Sequence, residues 1–398
     1  MSANPPVMHV GYLVETPITQ EKRLFGAQIS FLALLSQLSD RGVRPFVVVS
    51  EEWELTRELN LLGIDYLVTP IWEFFRSIDG AYDGVHGDDL ELQITQTSLP
   101  KIRDYFSSNS VELVHMNTRF CGLLGAKVAK QLGIPYIFHI REFLADDFGL
   151  EFKNEDVANK IIGESTVLIG VSKAIGTYLK TIYPNTRVKI IENGVDTDKY
   201  SVDRESRLIG SPVRIAIAGR IIDHKGQVDA VRAVECLAEK YGIASELLII
   251  GHRPEEMTNY ESDLLQYVHE AGLANSIEFV PFTDDVPRYL ATCDIGLMCS
   301  NREAFGRVTV EYMLASLVTI GARNGGTADI LEHNINGFLY EKGHPDEIAD
   351  IIAWCIENPE RATQIADRGH KDARQRYTVE RNASLVFETY NEILQELP

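Results

Sequence analysis

An α/β fold of two doubly wound parallel sheets is the architecture this sequence predicts, on three observations. Short β-branched runs alternate with apolar residues at helical spacing, the rhythm of a parallel sheet wrapped by helices. That rhythm stops in a polar, turn-prone stretch, Asn193–Pro212, and then starts again. A chain of 398 residues also exceeds what one hydrophobic core usually supports, so two domains of roughly 100–200 residues each are expected.

In the first half, strands are predicted at His9–Val14, Phe46–Ser50, Val111–Met116, Tyr136–Ile140, Val167–Val171 and Val188–Ile191. Between the first two, Ile29, Leu32, Leu35 and Leu38 mark the buried stripe of a helix. In the second half the predicted strands are Val213–Ala218, Glu246–Ile250, Ser276–Val280, Asp294–Met298 and Leu317–Gly321, again with helices between them. The domains are therefore placed at residues 1–200 and 201–378. A last helical pattern within 379–398 either finishes the second domain or crosses back to the first. Ligands of such sheets sit beyond the carboxyl ends of the strands, which makes an interdomain cleft the expected active site.

Composition excludes several classes. A net charge of −20 argues against a general nucleic-acid binder, because phosphate contacts need clustered Lys and Arg. The charge is about −7 over residues 1–200 and about −13 over the rest, so the first half is the better one to approach an anionic membrane or a lipid-linked phosphate. No apolar run approaches the ~18 residues of a spanning helix, and no signal-peptide pattern opens the chain; a cytoplasmic protein is expected, with peripheral contact at the inner face of the membrane left open. The five cysteines are scattered without a C-x-x-C pair, so neither a disulfide framework nor a zinc site is suggested.

Three segments of the second half fall at predicted strand ends. In AGRIIDHKGQVDA (218–230) the strand closes at Gly219, and Arg220 and Lys225 precede a helix; two cations beside a helix N-terminus suit a diphosphate. In NREAFGRVTVEYMLA (301–315), Glu303 and the amides of Ala304, Phe305 and Gly306 lie on a loop, while Glu311 lies in the helix that follows. Two such carboxylates suit the hydroxyls of a sugar and a ribose, although Glu303 as a cap and Glu311 as a complement to the helix dipole is the plainer alternative. In ARNGGTADI (322–330), Gly325 and Gly326 before a helix permit close approach of backbone to an anion or hydroxyls, or simply connect strand to helix.

Taken together these segments resemble the donor half of the retaining glycosyltransferases of family 4, which have the GT-B fold of two Rossmann-like domains facing a cleft. The family's glutamate, seven residues, glutamate pattern is similar to Glu303 through Glu311. Its strand-ending GR and following KG resemble Gly219-Arg220 and Lys225-Gly226, and its glycine turn resembles Gly325-Gly326. In the first half FGAQIS, GVSKAI and IENGVD match the family's glycine turn, strand-to-helix Ser-Lys and Asn-Gly-Val-Asp. HIREF (139–143) followed by FGLEF (148–152) resembles a subgroup of bacterial enzymes that build exopolysaccharide or capsule repeat units. Two departures stand out: ASLVTI lacks the family's usual proline, and Tyr312 replaces a small residue behind Glu311.

The resemblance implies a metal-independent hexosyltransferase in polysaccharide or glycoconjugate biosynthesis, with no cofactor beyond its nucleotide-diphosphate sugar. UDP-sugars come first and GDP-mannose second, on family frequency. The acceptor implied is a hydroxyl of a glycan, a lipid-linked molecule or a small molecule. Glu303 would contact the donor sugar, Glu311 the ribose, and Arg220 with Lys225 the diphosphate. His139, at the end of a first-domain strand, corresponds to the family's sugar-contacting histidine. Gly26 would let the first helix approach the diphosphate or the acceptor. Arg141 and Glu142 are acceptor-side candidates. Asp196–Asp198 imitates the metal-binding acidic pair of the other large glycosyltransferase fold, but it lies in the link between domains, where Asp caps turns, and no metal is assigned. A sugar-nucleotide epimerase of the same fold and a catalytically silent GT-B scaffold are the alternatives; retention of Arg220, Lys225, Glu303 and Glu311 argues against the scaffold.

Overall fold

Every strand of the two large sheets runs parallel to its neighbours. The computed structural model describes residues 7–14, 23–71, 75–78, 88–201, 209–253 and 257–397. Its chain divides into two units, Met1–Gly194 with Val379–Pro398, and Val195–Thr378.

The first unit opens with β1 (Met8–Val14), α1 (Gly26–Ser39), β2 (Val43–Val49), α2 (Glu54–Leu61), β3 (Tyr66–Val68) and β4 (Phe75–Ser77). It continues through α3 (Asp88–Ser108), β5 (Leu113–Met116), α4 (Gly122–Leu132), β6 (Tyr136–Ile140), α5 (Ala145–Phe148) and β7 (Leu150–Phe152). Then come α6 (Glu155–Gly163), β8 (Val167–Gly170), α7 (Lys173–Ile182) and β9 (Val188–Ile190). The sheet order is β3-β2-β1-β5-β6-β8-β9, with β4 and β7 as a separate antiparallel pair.

Central strands β5, β6 and β8 are buried along their whole length, which is why they read as unbroken apolar runs. The stripe of α1 lies further round the helix than predicted. Phe31, Leu34, Leu35 and Leu38 are fully buried, whereas Ile29 is 39% exposed and Leu32 only half-buried.

The second unit contains α8 (Thr197–Tyr200), β10 (Val213–Ala218), α9 (Gln227–Tyr241), β11 (Ser245–His252), α10 (Asn259–Glu270), β12 (Ile277–Pro281) and α11 (Val286–Leu290). It continues with β13 (Ile295–Met298), α12 (Arg307–Leu314), β14 (Val318–Ala322), α13 (Gly325–Ile330), β15 (Phe338–Tyr340), α14 (Pro345–Glu357) and α15 (Pro359–Arg376). The order β12-β11-β10-β13-β14-β15 reverses direction beside β10, so the ends of β10 and β13 flank the switch point where ligands of such sheets bind.

The chain then returns to the first unit as α16 (Val379–Gln395), whose Ala383, Val386, Tyr390 and Ile393 share a core with Phe31, Leu34, Leu35 and Leu38 of α1. Each large apolar side chain buried there contributes about 1.5–3 kcal/mol. The first boundary falls after Gly194 rather than after residue 200. Val195 donates its amide to the Tyr377 carbonyl at 2.8 Å, and Tyr200 is buried with its hydroxyl on Glu311, so both belong to the second unit. Among the described residues no helix is long and apolar enough to cross a membrane.

Candidate active site

In the second unit, β10 ends at Ala218 and the chain turns through Gly219 at φ +143°. Arg220 follows, with an exposed side chain within electrostatic reach of Glu303; its carbonyl accepts from Gln227 Nε2 at 2.8 Å. A 3-10 turn, Asp223–Lys225, precedes α9 and is tied to the loop after β13 by the Asn301 amide on the His224 carbonyl, 2.8 Å.

That tie brings the cation of one strand end to the acid of the next. Lys225 Nζ donates to Glu303 Oε1, and Ser300 Oγ donates to the same oxygen at 2.6 Å. Burial raises the carboxyl pKa of Glu303, but Lys225 and the hydrogen bonds from Lys225 and Ser300 outweigh it and hold the group below its ordinary value.

The loop after Glu303 is shaped by its neighbour α13. The Gly326 amide donates to the Glu303 carbonyl at 2.7 Å. A Cβ on Gly325 would lie 2.3 Å from the Glu303 carbonyl oxygen, and one on Gly326 2.3 Å from that of Phe305. The close approach that these glycines permit is therefore to the Glu303–Phe305 backbone. Ala304 and Phe305 are buried, and Phe305 meets the Tyr377 ring edge-on at 5.7 Å. Among the described residues, the amides of Ala304, Phe305 and Gly306 have no acceptor. Gly306, at φ +92°, leads directly into α12, so three free amides and a helix N-terminus lie beside Glu303.

Glu311 is buried within α12, hydrogen-bonded by Arg307 Nε at 2.9 Å one turn back and by the Tyr200 hydroxyl. Its pKa is raised: burial outweighs the help from Arg307, Tyr200 and Lys199. The next residue, Tyr312, is fully buried, and its hydroxyl accepts the Ala218 amide at 2.7 Å. A Cβ on Gly296 of β13 would lie 2.4 Å from the Tyr312 ring. The ring thus crosses the sheet where a strand residue has no side chain, and fastens α12 to the end of β10.

In the first unit, His139 on β6 is fully buried and stacks on His115 of β5, ring centroids 5.3 Å apart. Its Nδ1 faces Arg141 Nη2 at 3.2 Å, and its Nε2 has no partner among the described residues. Burial first, then Arg141 and His115, push its pKa well below the ordinary value. His115 Nδ1 meets the Tyr390 hydroxyl, which lies 3.1 Å from that of Tyr12.

Of the two acceptor-side candidates, Arg141 is half-buried and Glu142 is buried. Arg141 Nε bonds the Asn117 carbonyl (3.2 Å) and Oδ1 (3.1 Å), and its Nη1 bonds Asn193 Oδ1. Glu142 is buried, taking Arg119 Nε at 3.2 Å and the amides of Arg119 and Arg141 at 3.1 and 3.0 Å. So held, the carboxylate fixes the loop after β6. Gly26 is the first residue of α1, with open space where a Cβ would be.

Asn117, His115, Tyr390, Tyr200, Ser300 and Arg307 were not singled out from the sequence. Only the i, i+4 spacing of Arg307 and Glu311 carried a local signal.

A Lys–Glu pair, loop amides and a buried second acid at the strand ends beside a switch point mark a ligand site without naming its family, which sequence comparison decides. The description "Glycosyltransferase Family 4" matches residues 26–199, and "Glycosyl transferases group 1" matches residues 199–372. The chain belongs to glycosyltransferase family 4. A relative within this glycosyltransferase group is the N-acetyl-alpha-D-glucosaminyl L-malate synthase of Bacillus anthracis, 22% identical over 305 residues, covering 74% of this chain and 78% of that one. The D-inositol 3-phosphate glycosyltransferase of a Nocardioides species is 24% identical over 389 residues, 86% of this chain and 84% of its own. A crystal structure of Anabaena Alr3699/HepE in complex with UDP matches 97% of this glycosyltransferase and 100% of that chain, with TM-score 0.78 and 23% identity, confirming the GT-B fold.

In this glycosyltransferase Asp196 is a helix cap: its Oδ1 accepts the amides of Asp198 and Lys199 at 3.1 and 3.0 Å. Asp198 meets Arg374 at 3.4 Å. Among the described residues no group of three or more His, Cys, Asp or Glu side chains is arranged to hold a metal ion.

Proposed function

We propose that this glycosyltransferase moves a sugar from a nucleotide-diphosphate sugar, a UDP-sugar before GDP-mannose, to a hydroxyl of a glycan or lipid-linked acceptor, with retention of configuration and without a metal. One observation carries the reading: Lys225 and Glu303 are bonded to each other beside the free amides of residues 304–306. A diphosphate suits the cations and amides, and the sugar hydroxyls suit the carboxylate. The UDP bound to HepE, a protein of the same fold, supports the choice of nucleotide.

Arg220, Lys225 and the loop amides take up the charge that develops as the bond from the anomeric carbon to the diphosphate breaks. The acceptor hydroxyl attacks that carbon on the leaving-group face, and its proton passes to the departing phosphate oxygen. No protein nucleophile is needed. Loss of one such electrostatic donor costs ~3–4 kcal/mol in other enzymes. Glu303, kept ionised by Lys225, favours the positive character gained by the sugar ring. Glu311 holds the ribose. The sugar contact that the family resemblance assigns to His139 would use Nε2, which has no partner among the described residues.

Incubation with a panel of UDP- and GDP-sugars in EDTA, followed by NMR of the product linkage, tests the proposal. Transfer with the donor's anomeric configuration is expected. An inverted product, or activity abolished by EDTA and restored by Mn²⁺, overturns it; interconversion of UDP-sugars without an acceptor would indicate an epimerase instead.

A further inference from the structure

We infer that Arg141 is a positioning residue, whose guanidinium locks the His139 imidazole into the tautomer that carries its proton on Nε2. The inference follows from what each group is able to do. Arg has five N–H donors and no acceptor, and it stays protonated at all working pH values. Its Nη2 lies 3.2 Å from His139 Nδ1, so that nitrogen accepts and carries no proton. A neutral ring then has its proton on Nε2, the atom that is buried without a partner among the described residues.

The lock is built from three strand ends. Arg141 follows β6; Asn117 follows β5 and takes Nε on both its carbonyl and Oδ1; Asn193 follows β9 and takes Nη1. Asn193 is the asparagine of the IENGVD stretch, which gives that segment a physical task. His115 stacks on the imidazole, with the Tyr390 and Tyr12 hydroxyls beyond it, so among the described residues Arg141 is the charge that faces His139. A cation there disfavours a second proton on the ring, in line with its depressed pKa. His139 is thus a fixed hydrogen-bond donor rather than a general base.

That His139 uses Nε2 on the donor sugar rests on the function proposed above, whereas the lock itself is read without substrate. NMR of ¹⁵N-histidine-labelled protein, with His139 assigned by its loss in His139→Gln, should show an unprotonated Nδ1 and a protonated Nε2, unchanged from about pH 5 to 8. In Arg141→Met the ring should titrate or mix tautomers. A wild-type ring with its proton on Nδ1, or one that titrates in that range, overturns the inference even if the variant fails to fold.

Hydrolysis of UDP-glucose gives the second readout. Arg141→Met should lower kcat by about 10–100-fold, the range seen when a metal-bound histidine loses its orienting partner. The same change should do little in a His139→Gln background, where the amide donates from near the Nε2 position without a tautomer to fix. Equal costs in both backgrounds would show Arg141 acting elsewhere and overturn the positioning role. Should His139→Ala leave kcat unchanged, the sugar contact fails, while the spectrum still decides the lock.

Discussion

Lys225 and Glu303, carried by the loops that follow β10 and β13, are joined by a direct hydrogen bond between ammonium and carboxylate. The cation expected at the diphosphate and the acid expected at the sugar therefore position one another. Removing Lys225 leaves Glu303 with the Ser300 hydroxyl but without its ammonium partner.

Lys225→Ala should lower kcat by about 10²-fold or more with the fold intact, because the charge that Lys225 is proposed to balance peaks in the transition state. The same substitution should cost less in a Glu303→Gln background, since part of its effect passes through the carboxylate. Steady-state kinetics of the four proteins and their circular dichroism check this. Turnover within threefold of wild type refutes the assignment of Lys225.

The pair also sets a pH dependence. The folded-state pKa of Glu303 lies below its unfolded value near 4.5, so its stabilising contribution is present above that value and is lost as pH falls through the folded one. In Lys225→Ala, burial acts unopposed by the ammonium and the carboxyl pKa rises, which makes ionisation costly to the fold. The gap in Tm between wild type and variant should therefore widen as pH rises through the carboxylate range and then level off. Parallel Tm curves from about pH 4 to 7 would show that the two groups are uncoupled.

Tyr312 gives a separate test of how the site is braced. Tyr312→Phe keeps the ring over Gly296 but leaves the Ala218 amide without its acceptor, at a cost of about 1–3 kcal/mol. Chemical denaturation should read that loss. Gly296→Ala should destabilise further, because a Cβ would lie 2.4 Å from the ring and backbone would have to move. Wild-type stability in Tyr312→Phe would mean that the phenol does not carry the link between α12 and β10.

How much of this was legible in the sequence follows from the range of each interaction. Strands such as Tyr136–Ile140 and Val213–Ala218, buried on both faces, announce themselves as apolar runs. Of the five three-residue strands among the described residues, β3, β4, β7 and β15 do not, for so few residues carry little alternation; β9, equally short, is legible because Val188–Ile191 is flanked by turn residues. Arg220, Lys225, Glu303 and Glu311 were visible because strand ends and loop-to-helix turns are local features. Their partners were not: Tyr390 reaches His115 from 275 residues away, and Tyr200 meets Glu311 only once α8 has folded against α12. Gly325 and Gly326 open α13, and the close approach they permit is to the Glu303–Phe305 backbone, a contact that no local pattern encodes.

The two glutamates should separate cleanly on substitution by glutamine, because their surroundings differ. Glu311 is buried with a raised pKa, held by Arg307 and Tyr200, so as a charge it costs the fold stability at neutral pH. Its folded pKa lies above the unfolded value, and the cost appears as pH rises through that interval. Glu311→Gln retains an acceptor for Arg307 and loses the charge; its Tm at pH 7 should equal or exceed that of wild type, and the gain should shrink toward acid pH. In its proposed role at the ribose, which changes little during reaction, it should raise the donor KM about tenfold with kcat affected less. Glu303 differs in both respects. Its carboxylate is held ionised by Lys225, so Glu303→Gln should lose stability at neutral pH, and because the sugar gains positive character it should lower kcat by about 10²-fold. Thermal denaturation and steady-state kinetics of the two variants make four measurements, in which each glutamate has its own sign or its own kinetic constant. A Glu303→Gln enzyme with unchanged kcat, or a Glu311→Gln enzyme whose loss lies in kcat alone, would reverse the roles assigned to them.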